Sequence, residues 1–72
     1  MKDRYEILQA FGKNVKRLRE KQNMTIEELA GKTGCTKNFL TRIEKGEAKR
    51  VCLSHVMLFY EALNTTMKEL LK

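Results

Sequence analysis

The side chains best suited to chemistry lie in one short stretch, and they are hydrogen-bond donors rather than catalytic groups. In residues 37–45, KNFLTRIEK, Leu40 and Ile43 are three residues apart, which places both on one face of a helix. The opposite face presents long polar side chains, those of Lys37, Asn38, Thr41 and Arg42. Ammonium, guanidinium, amide and hydroxyl groups bind acceptor-rich or anionic surfaces. The stretch therefore predicts a surface that binds such a partner.

Two short helices joined by a tight turn are predicted to position these donors. Capping residues and glycines mark their ends, because a Thr side chain accepts hydrogen bonds from the first turn and Gly adopts the left-handed conformation that ends a helix. The predicted helices span 26–32 and 37–45. Their end-marking residues are Thr25 with Glu28 in a capping box, Thr36, Gly34 and Gly46.

Three more helices are predicted to complete a core around this pair. The first spans 3–22 with a cap at Asp3, and its Gly12 is expected to permit close approach of another helix. A fourth spans 53–63, and a short fifth begins at 67 after a cap at Thr66, with Glu69 completing a second capping box. The apolar stripes of the first and fourth helices are Leu8, Phe11, Val15 and Leu18, and Leu53, Val56, Phe59 and Leu63.

This pattern predicts an all-α fold, a compact five-helix bundle. No Pro-rich or Gly-rich tract divides the 72 residues, so we expect a single domain, 1–72, with the two-helix core at 25–45. The net charge is +6, and residues 1–24 contain seven basic and three acidic side chains. This excess favours a polyanionic partner, either nucleic acid or an anionic membrane. Ordinary solubility charge is the alternative interpretation.

The sequence contains no evident site for catalysis, a metal or a cofactor. Cys35 and Cys52 have neither metal-ligand spacing nor a disulfide framework, and His55 adds no ligand pair. We expect free thiols, a buried Cys35, an exposed His55, no enzyme activity and no small-molecule ligand. No apolar run approaches the roughly 20 residues that cross a bilayer, and the N-terminus lacks a signal-peptide core. The protein is therefore expected in the cytoplasm.

The chain resembles the Xre/Cro-type helix-turn-helix domain of bacterial and phage repressors, a lambda-repressor-like DNA-binding domain. The resemblance covers nearly the whole chain and is strongest from Thr25 to Gly46. The matching residues are Gly12, Val15, Leu18-Arg19, Met24-Thr25, Glu28-Leu29-Ala30, Gly34-Cys35-Thr36, Leu40, Arg42-Ile43-Glu44, Gly46, Leu53, Ala62-Leu63 and Leu70-Leu71.

The resemblance implies that the helix at 37–45 lies in the DNA major groove and reads base edges. The implied base-reading residues are Lys37, Asn38, Thr41 and Arg42. Phosphate contacts are implied for the backbone N–H groups at Thr25 and Ile26 and for the side chains of Arg19, Lys45, Lys49 and Arg50. The family also implies an ion pair between Arg19 and Glu44. A solvated helix face or loop is the alternative for the outward cations.

Apolar residues in excess of one small core predict a homodimer through the fourth and fifth helices. These residues are Met57, Tyr60, Met67 and Leu71. Tyr60 stands where the family usually has a small residue, Ile26 where Gln is frequent, and Val51-Cys52 where Pro-Ser is common. Two-fold symmetry suits palindromic DNA. The alternative is that these side chains complete the monomer core.

The leading functional interpretation is a sequence-specific transcriptional regulator, a repressor that binds a pseudo-palindromic operator in double-stranded DNA. Similar domains serve as antitoxins, whose main partner is a toxin and whose DNA binding is autoregulation. A restriction-modification controller protein is a variant of the first class. An enzyme finds no support in the residues, and a membrane-surface role is disfavoured because the apolar face of the first helix is needed for the core.

Overall fold

The computed structural model describes residues 4–71, and over this range the chain forms five helices and no strand. They are α1 (Arg4–Lys21), α2 (Ile26–Thr33), α3 (Lys37–Glu44), α4 (Leu53–Ala62) and α5 (Met67–Leu70). The predicted all-α fold is confirmed. Each predicted end of the first four helices lies within one residue of the observed end, while the predicted start at Asp3 falls outside the described residues.

The helix ends follow the local chemistry of the sequence. The Thr25 hydroxyl accepts from the Glu28 N–H at 3.1 Å, and the Glu28 carboxylate accepts from the Thr25 N–H at 3.1 Å, which completes the predicted capping box. Gly34 has φ of 76°, so α2 ends in the left-handed conformation. The Thr36 hydroxyl accepts from the Phe39 N–H at 3.1 Å and starts α3. Local hydrogen bonds therefore set the helix-turn-helix connection.

At α4 and α5 the caps are less regular. Cys52 occupies the N-cap of α4, and its N–H donates to His55 Nδ1 at 3.2 Å. The Thr66 hydroxyl accepts from the Glu69 N–H at 3.2 Å, as predicted, and the Glu69 carboxylate accepts from Arg17 at 3.1 Å. The carboxylate that was expected to complete a capping box links α5 to α1.

One close contact fixes α3 against α1. Gly12 lies on the backbone of α3, where an added Cβ would collide with the Ile43 carbonyl oxygen. The expected close approach at this glycine is therefore present. Around it lies the core, whose buried apolar residues are Phe11, Val15, Leu18, Met24, Leu29, Leu40, Ile43, Phe59, Leu63 and Leu70.

The C-terminal part is attached to α1 by polar contacts as well as by packing. The buried Asn14 side chain donates to the Leu70 carbonyl at 2.8 Å, and Gln22 donates to the Leu63 carbonyl at 2.6 Å. The last carbonyls of a helix have no intrahelical partner, and these two bonds satisfy such carbonyls at the ends of α4 and α5. Within residues 4–71, no helix combines the length and apolar character needed to cross a bilayer.

Four predictions about burial are wrong or need adjustment. Leu53 was expected on the buried stripe but is 73% exposed, because it is the first residue of α4 and no other element covers it. His55 was expected to be exposed but is half-buried, with its ring 4.8 Å from that of Phe39. Cys35 is half-buried and packs against the core, and Leu8 is also half-buried. Burial at these positions depends on neighbours that are distant in sequence.

Candidate nucleic-acid interface

The outward face of α3 carries the predicted base-reading side chains together. Lys37, Asn38 and Arg42 are exposed, whereas Leu40 and Ile43 on the opposite face are buried. Thr41 is half-buried, and its hydroxyl donates to the Lys37 carbonyl at 2.9 Å. The Thr41 oxygen therefore offers its acceptor lone pairs, and its methyl group, to a partner. The face as a whole can donate to acceptor-rich edges.

An ion pair at the C-terminal end of α3 sets the orientation of this face. Arg19 Nε and Nη2 donate to the two carboxylate oxygens of Glu44 at 2.7 and 3.0 Å. Only 13% of the Arg19 side chain and 7% of the Glu44 side chain are exposed. The hydrogen bond to Glu44 raises the pKa of the Arg19 guanidinium. The predicted pair is present and joins α1 to α3.

Arg19 also reaches the start of the helix-turn-helix unit. Its Nη1 donates to the Met24 carbonyl at 2.8 Å, so one guanidinium holds α1, the residue before the α2 cap and the end of α3. Three of the five N–H donors of Arg19 are engaged in these bonds, and the phosphate contact by Arg19 stays a prediction that would use the remaining two. The position of Arg19 indicates a brace within the domain.

The N-terminus of α2 is the second place where an anion was expected. The N–H of Thr25 is used by the Glu28 carboxylate in the capping box, and the half-buried Ile26 side chain packs against the core. The Thr25 hydroxyl, which accepts from Glu28 and keeps its own O–H, and the backbone N–H groups of the first turn of α2 can therefore serve a phosphate here. The helix dipole favours an anion at this end.

An ion pair that sequence reasoning missed connects the starts of α2 and α3. Glu27 Oε1 lies 3.0 Å from Lys37 Nζ, and both side chains are more than half exposed. The hydrogen bond and charge of Lys37 lower the pKa of the Glu27 carboxyl. The two residues are ten positions apart on different helices, so neither helical spacing nor capping rules could reveal the pair.

Cations also surround the segment between α3 and α4. Lys45, Lys49 and Arg50 are exposed, as a phosphate contact requires. Lys49 and Arg50 line a cleft with Arg42 next to the end of α3. They also line a neighbouring cleft of about 420 Å³ together with Arg4, from the first turn of α1. Sequence reasoning missed Arg4, although the excess of positive charge in residues 1–24 was a signal.

A second surface, on α4 and α5, holds the residues that were predicted to form a dimer interface. Met57, Tyr60 and Leu71 are 47%, 38% and 53% exposed, and Met67 is half-buried against the core. The exposed Leu53 precedes Met57 and Tyr60 by four and seven residues, so these three share one face of α4. Met67 thus packs partly in the core, while Met57, Tyr60 and Leu71 remain exposed for contact with a partner.

The residues described by the structure contain no group of three or more His, Cys, Asp or Glu side chains that could hold a metal ion. Cys35 and Cys52 are free thiols. The chemistry offered by residues 4–71 is therefore hydrogen bonding and charge on the α3 side and apolar contact on the α4 side.

Comparison with known proteins agrees with this geometry. A family profile described as the Cro/C1-type HTH DNA-binding domain matches residues 14–72. The chain belongs to this family. Its Cro/C1-type domain is that of a DNA-binding transcriptional regulator, and the matched range contains the C-terminal part of α1 and all of α2 to α5. No curated protein matches the sequence.

Two solved structures share the architecture of this Cro/C1-type domain. The restriction-modification controller protein C.AhdI from Aeromonas hydrophila is 27% identical with a TM-score of 0.80, over 88% of this chain and 94% of that chain. A mutant of the restriction-modification controller protein C.Esp1396I is 22% identical with a TM-score of 0.79, over 94% of this chain and 82% of that chain. The second likeness, at its lower identity, concerns the fold alone.

Proposed function

We propose that this protein represses transcription in the cytoplasm by occupying a pseudo-palindromic operator as a homodimer, with α3 of each copy in the major groove. The observation that carries the proposal is the polar face of α3, which is exposed while its opposite face is buried and its end is braced by Arg19 and Glu44. A donor surface held at a fixed angle suits base reading, because direct readout depends on hydrogen-bond geometry.

Each side chain on this face has a chemical role in the proposal. Arg42 and Lys37 donate to the O6 and N7 acceptors of guanine, and Asn38 can form a two-point contact with adenine. Thr41 accepts a hydrogen bond or packs its methyl group against a thymine methyl. Lys37 and Asn38 are the first two residues of α3, where a recognition helix meets base edges, and Thr41 follows one turn later.

Phosphate contacts on both sides of α3 would hold the domain on the duplex. The start of α2, with the Thr25 hydroxyl and the Ile26 N–H, lies on one side, and the exposed cations of the α3–α4 connection lie on the other. These cations are Lys45, Lys49 and Arg50, with Arg4 beside them. Such contacts set position and orientation, and their charge makes binding salt-dependent.

A homodimer through α4 and α5 completes the proposal. The stripe of Leu53, Met57 and Tyr60 is exposed, and exposed apolar residues that cluster are typical of interaction surfaces. The longest dimension of one copy is 33 Å, comparable with the spacing of about 34–36 Å between half-sites one helical turn apart. Two adjacent copies can therefore engage successive turns of the groove.

Control of a restriction-modification operon is the more specific form of this proposal. The observation that favours it is the likeness to the controller protein C.AhdI, which extends over nearly all of both chains. The genes next to the one that encodes this chain provide the test. An adjacent endonuclease and methyltransferase support the specific form, whereas an adjacent toxin gene supports an antitoxin.

The experiment that tests operator binding is selection from a library of random DNA duplexes, followed by titration at several salt concentrations. We expect enrichment of one two-fold symmetric motif with two half-sites. A protein that neutralises 6–10 phosphates loses about 10³–10⁵ in affinity between 50 and 200 mM salt, so a steep loss is expected. No enrichment at moderate salt contradicts the proposal.

A further inference from the structure

We propose that Glu27 is a specificity-determining residue, whose carboxylate positions the Lys37 ammonium at the start of α3 and limits its binding to non-specific phosphates. This inference rests on the proposed reading of DNA by α3. It assigns to an acidic side chain, in a strongly basic protein, a role in choosing among DNA sequences.

The starting point is the position of the ion pair. Glu27 is the second residue of α2 and Lys37 is the first residue of α3, so their contact brings two helix N-termini to one surface. That surface is where both a phosphate and a base edge are expected. The neighbouring carboxylate of Glu28 is used in the capping box with Thr25. Glu27 is therefore the carboxylate of this turn that engages a base-reading side chain.

The pair has a consequence for non-specific binding. Such binding depends on the number of phosphates that protein cations neutralise. A carboxylate 3.0 Å from the Lys37 nitrogen offsets its positive charge and is itself repelled by nearby phosphates. The pKa of Glu27 is lowered by Lys37, so this carboxylate stays ionised at neutral pH. Lys37 consequently contributes little attraction to DNA of arbitrary sequence.

For a specific site the same pair acts in the opposite direction. An ammonium group has three donors, and a hydrogen bond to Glu27 uses one of them. Two remain for the O6 and N7 acceptors of a guanine. Because the lysine stem is flexible, an acceptor on α2 reduces the freedom that Lys37 must lose when it binds a base. Glu27 thus supports the correct contact and weakens incorrect ones.

The test compares the wild-type protein with Glu27→Gln on two duplexes of equal length, the selected operator and a random sequence. We expect non-specific affinity to rise about two- to fivefold, the range that an exposed ion pair supports. Operator affinity should rise less, so the ratio of the two affinities falls, by at most about fivefold. The salt slope for the random duplex should steepen by about 0.9.

Glu47→Gln is the matched control. Glu47 is exposed and lies with Arg42, Lys49 and Arg50 on the other flank of α3, so its neutralisation also adds one positive charge to the DNA-facing surface. It should raise both affinities alike and leave their ratio unchanged. A second control places Glu27→Gln in a Lys37→Gln background, where the change in ratio should disappear. Unchanged thermal unfolding of each variant shows that folding is not involved.

Three results separate this inference from the function on which it rests. An unchanged affinity ratio in Glu27→Gln overturns the role of Glu27 while leaving operator binding intact. An equal fall in the ratio with and without Lys37 also overturns it, since the effect then belongs to charge alone. If the wild-type protein selects no sequence from the library, the proposed function fails, and the inference fails with it.

Discussion

The outward faces of α3 and α4 differ, although both helices bury their other face in the same core. α3 exposes Lys37, Asn38 and Arg42, whereas α4 exposes Leu53, Met57 and Tyr60. Seven of the ten residues of α4 are apolar, but only Phe59 is buried. Burial of the inner faces of α3 and α4 explains the fold, whereas the side chains on their exposed faces indicate the kind of partner that each helix can contact. The donors suit the proposed contact with DNA, and the uncovered apolar side chains suit the proposed contact with a second copy.

The two helices also differ in how firmly they are held. α3 is capped by Thr36, packed on Gly12 and joined to α1 through Arg19 and Glu44. The N-cap of α4 is the exposed Cys52, and Cys is a poorer cap than Ser or Thr. A base-reading helix requires a fixed angle, because hydrogen bonds are directional, whereas apolar contact at a dimer interface is not. Substitutions on either helix can test this difference.

The largest effect is expected from Gly12→Ala. Ala is the better helix former, yet the added methyl would collide with the Ile43 carbonyl and separate α1 from α3. We expect a loss of about 3 kcal/mol or more in the free energy of unfolding, measured by chemical denaturation. Gly31→Ala is the control, since nothing lies within 4 Å of an added Cβ there, and it should stabilise by about 0.5–1 kcal/mol. Similar effects at both glycines contradict the close contact.

Loss of the brace should have the next largest effect. Glu44→Ala leaves the mostly buried Arg19 without its carboxylate, and we expect a loss of about 2–3 kcal/mol, somewhat below that for a fully buried pair. DNA affinity should fall as well, because the end of α3 is released. Arg17→Ala removes the exposed pair with Glu69 and should cost at most about 1 kcal/mol. Unchanged stability and DNA affinity in Glu44→Ala would show that the Arg19–Glu44 pair does not hold α3 in place.

Substitutions at the DNA-facing surface should separate reading from positioning. Arg42→Ala should cost about 1–3 kcal/mol on the operator and relax the preference at one base pair. Lys49→Ala should weaken binding to all sequences alike and reduce the salt slope by about 1. Binding measured on a set of single-base-pair variants distinguishes the two. If both variants behave alike, the division between α3 and the following connection is wrong.

On the α4 side, the smallest of these effects is expected from Met57→Glu. A carboxylate in the exposed stripe should weaken dimerisation at least about tenfold, or about 1.4 kcal/mol, as followed by analytical ultracentrifugation. Monomer stability should change by less than about 0.5 kcal/mol, because Met57 is 47% exposed. Ser54→Glu places the same charge at an exposed polar position of α4 and should leave the dimer intact. A wild-type protein whose mass stays monomeric at all concentrations excludes the dimer.

Much of the fold could be predicted because its signals are local. The Thr25 capping box, the Thr36 cap and the left-handed Gly34 depend on residues within a few positions of each other. Base-reading candidates followed from the spacing of Leu40 and Ile43 and from the family resemblance. Leu53 had an equally good helical spacing, and its predicted burial was wrong. Spacing shows which residues share a face, but coverage of that face depends on another element.

The candidate site shows the same limit for charges. Arg19 was predicted to pair with Glu44, and the structure shows that its guanidinium also donates to the Met24 carbonyl, a contact that the sequence did not reveal. Lys37 was predicted to read a base, and only the structure shows that its ammonium contacts Glu27. Arg4 was not among the candidates, although it lies beside Lys49 and Arg50. The composition gives the number of Lys and Arg side chains. Their positions in the fold show which of them contact an acidic side chain.

The helices and their caps could be predicted from the sequence, because they depend on hydrogen bonds between residues within one or two turns. The donors on α3 could be predicted from helical periodicity. Tertiary structure alone decided which apolar residues are covered, how closely α1 lies on α3 at Gly12, and which acidic group each cation meets. The physical reason is distance. Burial and ion pairing act over a few ångströms in space, and folding brings to that range residues that are far apart in the chain.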